Sequence, residues 1–216
     1  DVESLPSGIG FSGPVVIEEG QLRAFATLFA NSAFSDAAQP TPEQIQAIRF
    51  VAAADGHKPQ KLDGPQELTV KADPKIQVRI EGLPLAAKSD SQQDVPTAAD
   101  NAATNEITVL QIRPGQTIQA MAKIDRLKHT GIISFGKEDS GRNLPHGVFV
   151  DNIGLNGLLL LEGQSDRDFF ITAAKWVKPS RTTFFLKSNI DGITTLPVVL
   201  EVLPAEPDVA ADITAN

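Results

Sequence analysis

The chain of 216 residues contains no cysteine and no tyrosine, and only one methionine and one tryptophan. Without cysteine there is no disulfide framework, no thiol nucleophile and no cysteine-ligated zinc. That lack suits a reducing compartment, and equally a secreted bacterial protein that never used disulfides. Without tyrosine the aromatic set is 11 Phe plus Trp176. Sugar-binding surfaces draw on exposed Trp and Tyr, so the composition weakens a carbohydrate-binding reading. No apolar run approaches about 18 residues, so no helical membrane span is expected. Basic residues are in deficit: 19 Lys+Arg against 27 Asp+Glu leave a formal charge of −8, which argues against nucleic acid as the main partner. Neither a phosphate loop, a dinucleotide fingerprint nor a Gly-x-Ser-x-Gly elbow occurs. The chain opens Asp1-Val2-Glu3-Ser4, with no initiator Met and no charged-plus-apolar leader. Such an opening is expected of a cytosolic protein, or of one whose leader or larger upstream region has been removed; the missing Met favours removal.

What is present is strand pattern. Ile107 to Arg113 is β-rich and ends at the turn pair Pro114-Gly115, and Thr117 to Ile124 alternates polar and apolar residues with period two. Further strand-like runs are Gly131–Phe135, Val148–Val150, Leu158–Leu161, Asp168–Thr172, Thr183–Leu186 and Pro197–Leu203. Tight-turn pairs such as Asn156-Gly157 and Asp191-Gly192 fall between them. This density of strands and turns predicts an immunoglobulin-like antiparallel β-sandwich over residues 106–204. The one helical candidate is Pro42–Ile48, with Thr41 as N-cap and Pro42 at the first helical position. Its end, Ile48-Arg49-Phe50-Val51, also reads as a strand. Residues 87–105 are small and polar apart from Val95, and are expected to form a flexible linker or loop. Residues 205–216 are expected to form a flexible acidic tail.

The chain also resembles itself. Leu5-Pro6-Ser7-Gly8-Ile9 matches Leu144-Pro145-His146-Gly147-Val148, and Gly10 to Gln21 matches Gly154 to Gln164. Ile48 to Gly56 then matches Thr183 to Gly192, and Pro65-Gln66-Glu67-Leu68-Thr69-Val70 matches Pro197-Val198-Val199-Leu200-Glu201-Val202. The order is the same in both halves, and the first half carries an extra stretch around Gln39-Pro40-Thr41-Pro42. The second copy has strands from Ile107 to Phe135 ahead of its Leu-Pro-x-Gly block, whereas the first has four residues. The expected fold is therefore all-β: tandem immunoglobulin-like antiparallel β-sandwiches, the first copy (residues 1–86) lacking its opening strands. A sandwich without those strands leaves an unpaired edge and an uncovered core. Three remedies follow: strands from a longer precursor, strand addition from another subunit, or partial filling by Ile76-Gln77-Val78-Arg79-Ile80.

Residues 143–157, Glu162-Gly163-Gln164, Phe170 to Val177 and Leu196 to Val202 carry a family resemblance. Over residues 106–204, and more loosely over 4–70, the chain resembles the immunoglobulin-like β-sandwich repeats of large secreted planctomycete-type proteins, the prepeptidase C-terminal-like domain proteins. The resemblance implies an exported repeat from the C-terminal region of a longer protein, and it implies no catalytic residue.

Groups able to do chemistry are few. His57, His129 and His146 sit beside turn residues or charge, none at metal-ligand spacing from another. Asp151 with Asn152, and Asp166 with Asp168, begin a calcium site, but calcium takes six to eight oxygens. The loop from Phe135 to Arg142 mixes both charge signs and reads as a solvated hairpin tip. Trp176 follows an apolar strand and reads as packing at a sandwich corner. No catalytic, cofactor-binding or metal residue is assigned. The expectation is a non-catalytic module, extracellular or at a bacterial cell surface or periplasmic, that assembles with a protein partner or with itself by strand addition. The alternative is a calcium- or glycan-binding accessory module of a secreted enzyme.

Overall fold

The computed structural model describes residues 1–13, 15–30, 39–70, 73–83, 108–135, 143–151 and 158–205. The elements before residue 70 are β1 (Val2–Glu3), β2 (Ile9–Phe11), β3 (Leu28–Ala30), α1 (Pro42–Ala47), β4 (Arg49–Ala52) and β5 (Gln60–Asp63). After it come β6 (Ile76–Leu83), β7 (Val109–Ile112), β8 (Thr117–Arg126), β9 (Ile133–Ser134), β10 (Val148–Val150), β11 (Leu159–Leu160), β12 (Asp166–Ala173), β13 (Ser180–Phe184) and β14 (Val198–Val202).

Alternation in β8 organises the larger part. Ala120, Ala122 and Ile124 are buried, while the residues between them are half-buried, as period two requires of a strand with one face on a core. β8 pairs antiparallel with β12 on one side and β6 on the other, and β10 completes the sheet β10-β12-β8-β6. The facing sheet is β13-β14-β7, in which β13 and β14 are antiparallel and β7 lies parallel to β14. A short antiparallel ribbon joins β9 to β11. One buried cluster draws on every strand from β6 to β14, with Phe135, Phe169 and Phe184 fully buried. The all-β antiparallel sandwich is thus present, with the β7–β14 pair as its one parallel ladder among the described strands.

One placement differs from the sequence reading. Ile76–Ile80 was expected to belong with the first sandwich or to fill its gap. Instead β6 forms an eight-residue ladder with β8, from Ile76 opposite Arg126 to Leu83 opposite Gln119, and buries Ile76, Val78 and Ile80 in the cluster. The reason is physical: β8 presents a second strand edge above that core, and β6 alternates in register with it. The Thr108 hydroxyl donates to the Ile80 carbonyl at 3.0 Å, tying the entry of β7 to β6 across the sheets. The expected linker 87–105 lies outside the described residues, but its flanks, β6 and β7, belong to the same sandwich.

Strand ends shift by packing. β9 spans only Ile133–Ser134 of the expected Gly131–Phe135, and β11 only Leu159–Leu160. β13 starts at Ser180, ahead of the expected Thr183, because Ser180 to Phe184 pair with β14.

Residues 1–70 form two small antiparallel sheets, β1-β4-β5 and β2-β3. Both readings of Pro42–Val51 hold, in succession: α1 ends at Ala47 and β4 begins at Arg49. A reciprocal cap starts the helix, with Gln44 N–H donating to Thr41 Oγ1 at 3.3 Å and Thr41 N–H donating to Gln44 Oε1 at 2.8 Å. The Glu43 backbone N–H and the Thr41 hydroxyl hold the Glu43 carboxyl below the usual range. Ile48 is the only large aliphatic before Ile76 in the buried set of described residues. Gly64 fits there because any β-carbon would meet the Ile48 carbonyl at 2.6 Å.

Ile80→Ala removes a fully enclosed side chain and should lower the stability of the β6–β14 sandwich by about 2–5 kcal/mol. Leu62→Ala, at a residue 56% exposed, should change it by less than about 0.5 kcal/mol. Denaturant unfolding followed by Trp176 fluorescence distinguishes the two.

Candidate functional site

Three turns recur between the two parts. Ile9 N–H donates to Pro6 O at 3.1 Å around Gly8 (φ 83), and Val148 N–H to Pro145 O at 2.9 Å around Gly147 (φ 88). Gln21 N–H donates to Glu18 O at 2.9 Å around Gly20 (φ 83), and Gln164 N–H to Leu161 O at 3.1 Å around Gly163 (φ 77). His57 N–H donates to Ala54 O and Ile193 N–H to Ile190 O, both at 3.0 Å, around Gly56 (φ 75) and Gly192 (φ 68). The third pair differs at the residue before the glycine, since Asp191 is itself left-handed at φ 51.

Strand register recurs as well. Ile9, Gly10 and Phe11 of β2 stand opposite Ala30, Phe29 and Leu28 of β3. Val148, Phe149 and Val150 of β10 stand opposite Ala173, Thr172 and Ile171 of β12. The surroundings then diverge. β12 carries β8 along its far side, and β14 carries β7. Among the described residues β3 pairs only with β2, and β5 only with β4. The two edges have different chemistry. Gln60-Lys61-Leu62-Asp63 of β5 is exposed throughout and charged, with Lys61 paired to Glu3 at 2.6 Å. Leu28-Phe29-Ala30 of β3 carries no charge.

The two parts are joined at a polar clamp. The Asn143 side chain accepts from Phe25 N–H at 3.0 Å and donates to Phe25 O, as a paired strand would. Glu18 accepts from His146 N–H at 3.4 Å. A cleft of about 20 Å³ separates Val15, Val16 and Glu18 from Leu144, Arg181 and Thr182. Lys75 adds an ion pair to Asp191 at 3.1 Å, and Lys128 pairs with Asp73. No local sequence signal marks the Asn143 clamp, because its partner lies 118 positions away.

The residues singled out by sequence are not gathered into one site. His57 Nδ1 lies 3.0 Å from Asp55 O in its own hairpin. His129 lines a recess of about 280 Å³ with Lys128, Glu162 and Arg126. Arg126 there is a structural staple: its guanidinium donates to the carbonyls of Gln164, Gly131 and Leu161 at 2.7–2.8 Å. His146 packs against Trp176, ring centroids 5.0 Å apart and planes tilted by 45°. The indole covers Gly147, where a β-carbon would come within 2.5 Å of it, yet remains 61% exposed. Asp151 accepts from the Thr172 hydroxyl at 3.3 Å and Asp168 from Gln119 at 3.0 Å, while Asp166 lies 3.4 Å from the Ser165 hydroxyl. Asn152, the Asn156-Gly157 pair and most of the loop from Phe135 to Arg142 lie outside the described residues. Among the described residues no group of three or more His, Asp or Glu is arranged to hold a metal ion, and no helix is long and apolar enough to cross a membrane.

No protein-family model matches the chain, and no curated protein sequence matches it.

Asn143→Ala deletes both bonds to Phe25. At about 1 kcal/mol each, their loss should speed tryptic cleavage after Arg23 by roughly 5–30-fold. Proteolysis timed on gels checks this, with cleavage inside the β6–β14 sandwich unchanged.

Proposed function

We propose that this protein is a non-catalytic structural or interaction module, exported and built into a larger extracellular or cell-surface assembly. In this reading residues 1–70 supply the later strands of a second sandwich of the same kind. The strand that would flank β3 comes from a neighbouring chain. The observation that carries it is the pairing of like register with unlike flanks. β2–β3 repeats the ladder of β10–β12, but the position that β8 fills beside β12 has no occupant beside β3 among the described strands.

Three further observations support the reading. The recurring turns support a tandem origin: the first two pairs share one left-handed glycine and the same bond, and all three fall at the same point in the strand order. The sheets β10-β12-β8-β6 and β13-β14-β7 have the strand count, four and three, of an immunoglobulin-type sandwich, which supports this reading. The recess beside His129 commits its arginine to backbone carbonyls, which supports a structural role for that group. The resemblance to secreted planctomycete-type repeats points the same way for location.

A glycan-binding accessory module is the second reading, favoured by the exposed Trp176 tilted over His146. Titration calorimetry against a glycan panel tests it, and silence with every sugar removes it.

The leading reading is tested by hydrogen exchange on the chain alone. Amides of β1 to β5 should exchange at least roughly 100-fold faster than those of β8 and β12, because among the described residues their sheets have fewer flanking strands and little buried apolar surface. Equal protection in both parts would sink it.

A further inference from the structure

We propose that the strand completing the first part docks on the free edge of β3. It runs antiparallel to β3 and carries small or aliphatic side chains at alternate positions. It comes from a polypeptide other than a copy of this chain, whose β8 already has both edges paired. This deepens the reading of residues 1–70 as an open sandwich and rests on it.

Backbone direction sets the edge. Ser12 N–H donates to Thr27 O at 3.0 Å, so Thr27 and Phe29 bond toward β2. Because bonded and non-bonded pairs alternate, the N–H and C=O of Leu28 and Ala30 point the other way. β12 spends the matching groups on a partner. Ala173, the register counterpart of Ala30, donates to Gln116 O at 3.0 Å and accepts from Gly115 N–H at 2.9 Å, at the entry to β8. Ile171, the counterpart of Leu28, stands opposite Ile118 of β8.

Side-chain chemistry then selects the occupant. On β8 the inward positions are Ala120, Ala122 and Ile124, and the alternate ones include Gln119 and Lys123. A strand of that pattern presents a small apolar face inward and a polar face outward. β3 is short, but Leu28, Phe29 and Ala30 include neither the charge nor the proline that blunts an edge chemically. β5 has them in Lys61 and Asp63. Strand addition is therefore directed to β3 and turned away from β5.

The test uses the full chain and a fluorescein-labelled peptide of the β8 sequence, Thr-Ile-Gln-Ala-Met-Ala-Lys-Ile-Asp-Arg, beside a scrambled control. Anisotropy should show saturable binding at least tenfold tighter than the control. On β5 the Gly64 N–H bonds to Ile48 O, so Leu62 faces β4 and the outward amides are those of Lys61 and Asp63. Hydrogen exchange should slow at the Leu28 amide and not at Lys61. Leu28→Pro, which removes one outward donor and leaves the Phe29 bonds to β2, should weaken binding tenfold or more, while Lys61→Pro should not. Should Leu28→Pro disturb the hairpin, the exchange footprint on the unaltered chain decides. Equal binding of the scrambled peptide, protection at Lys61, or no saturable binding overturns the β3 placement. Protection of Leu28 by raising the chain's own concentration overturns it in favour of a second copy. The open-sandwich reading falls separately, only if residues 1–70 are already as protected as β8 in the free chain.

Discussion

Burial of one face of β8 is the constraint on which the rest of the molecule depends. Its alternation sets which side chains enter the core, and both of its edges are in use, by β12 and β6. Phe169 stands opposite Ala120 in the ladder, so a large ring shares the inward face with a small side chain and the layer fills without strain. At its start the turn through Pro114-Gly115, which receives the chain from β7 in the facing sheet, bonds to Ala173. At its end Arg126 fastens three carbonyls of neighbouring loops. A register slip of one residue would turn Lys123 and Gln119 inward, which is why this pairing is so strongly specified.

What could be read from the sequence was what lies within a few residues. The period of Thr117–Ile124, the Thr41-Pro42 helix start and the glycine turns were all legible, because each is decided by local backbone and side-chain chemistry. Partner choice was not. Ile76, Val78 and Ile80 mark a strand plainly, but nothing near them names β8 as neighbour, and a polar stretch after Leu83 imitates a domain boundary. The contact of Asn143 with Phe25 was equally invisible, since one amide among many gains its meaning only from the chain that passes it. Trp176 illustrates an intermediate case. Its place at a corner of the sandwich was legible, but not its exposure, which follows from lying across Gly147.

The contrast between the two halves is one of enclosure. From β6 onward, most inward apolar residues join a single cluster. Before it, Ile48 is the one large aliphatic in the buried set of described residues, and Val16, Ile17, Leu22 and Leu62 are exposed. Two sheets of a few short strands cannot remove enough apolar area from water to offset the entropy of ordering them. Their order leans on the Asn143 clamp, the Glu18–His146 bond and the hairpin turns.

The division of the sandwich's first strand between two sheets has a mechanical side. β6 runs antiparallel to β8 with its first residue toward the N-terminal part, and β7 runs parallel to β14 with the C-terminal end of β14 at the far end of the ladder. Tension entering at Ile76 and leaving at Val202 therefore acts along the strands. It loads the ladder bonds together in shear, where they share the force, rather than unzipping them one by one. The same connectivity that hides β6 from a reader of the sequence makes it the strap through which a pull on one end of the chain reaches the other.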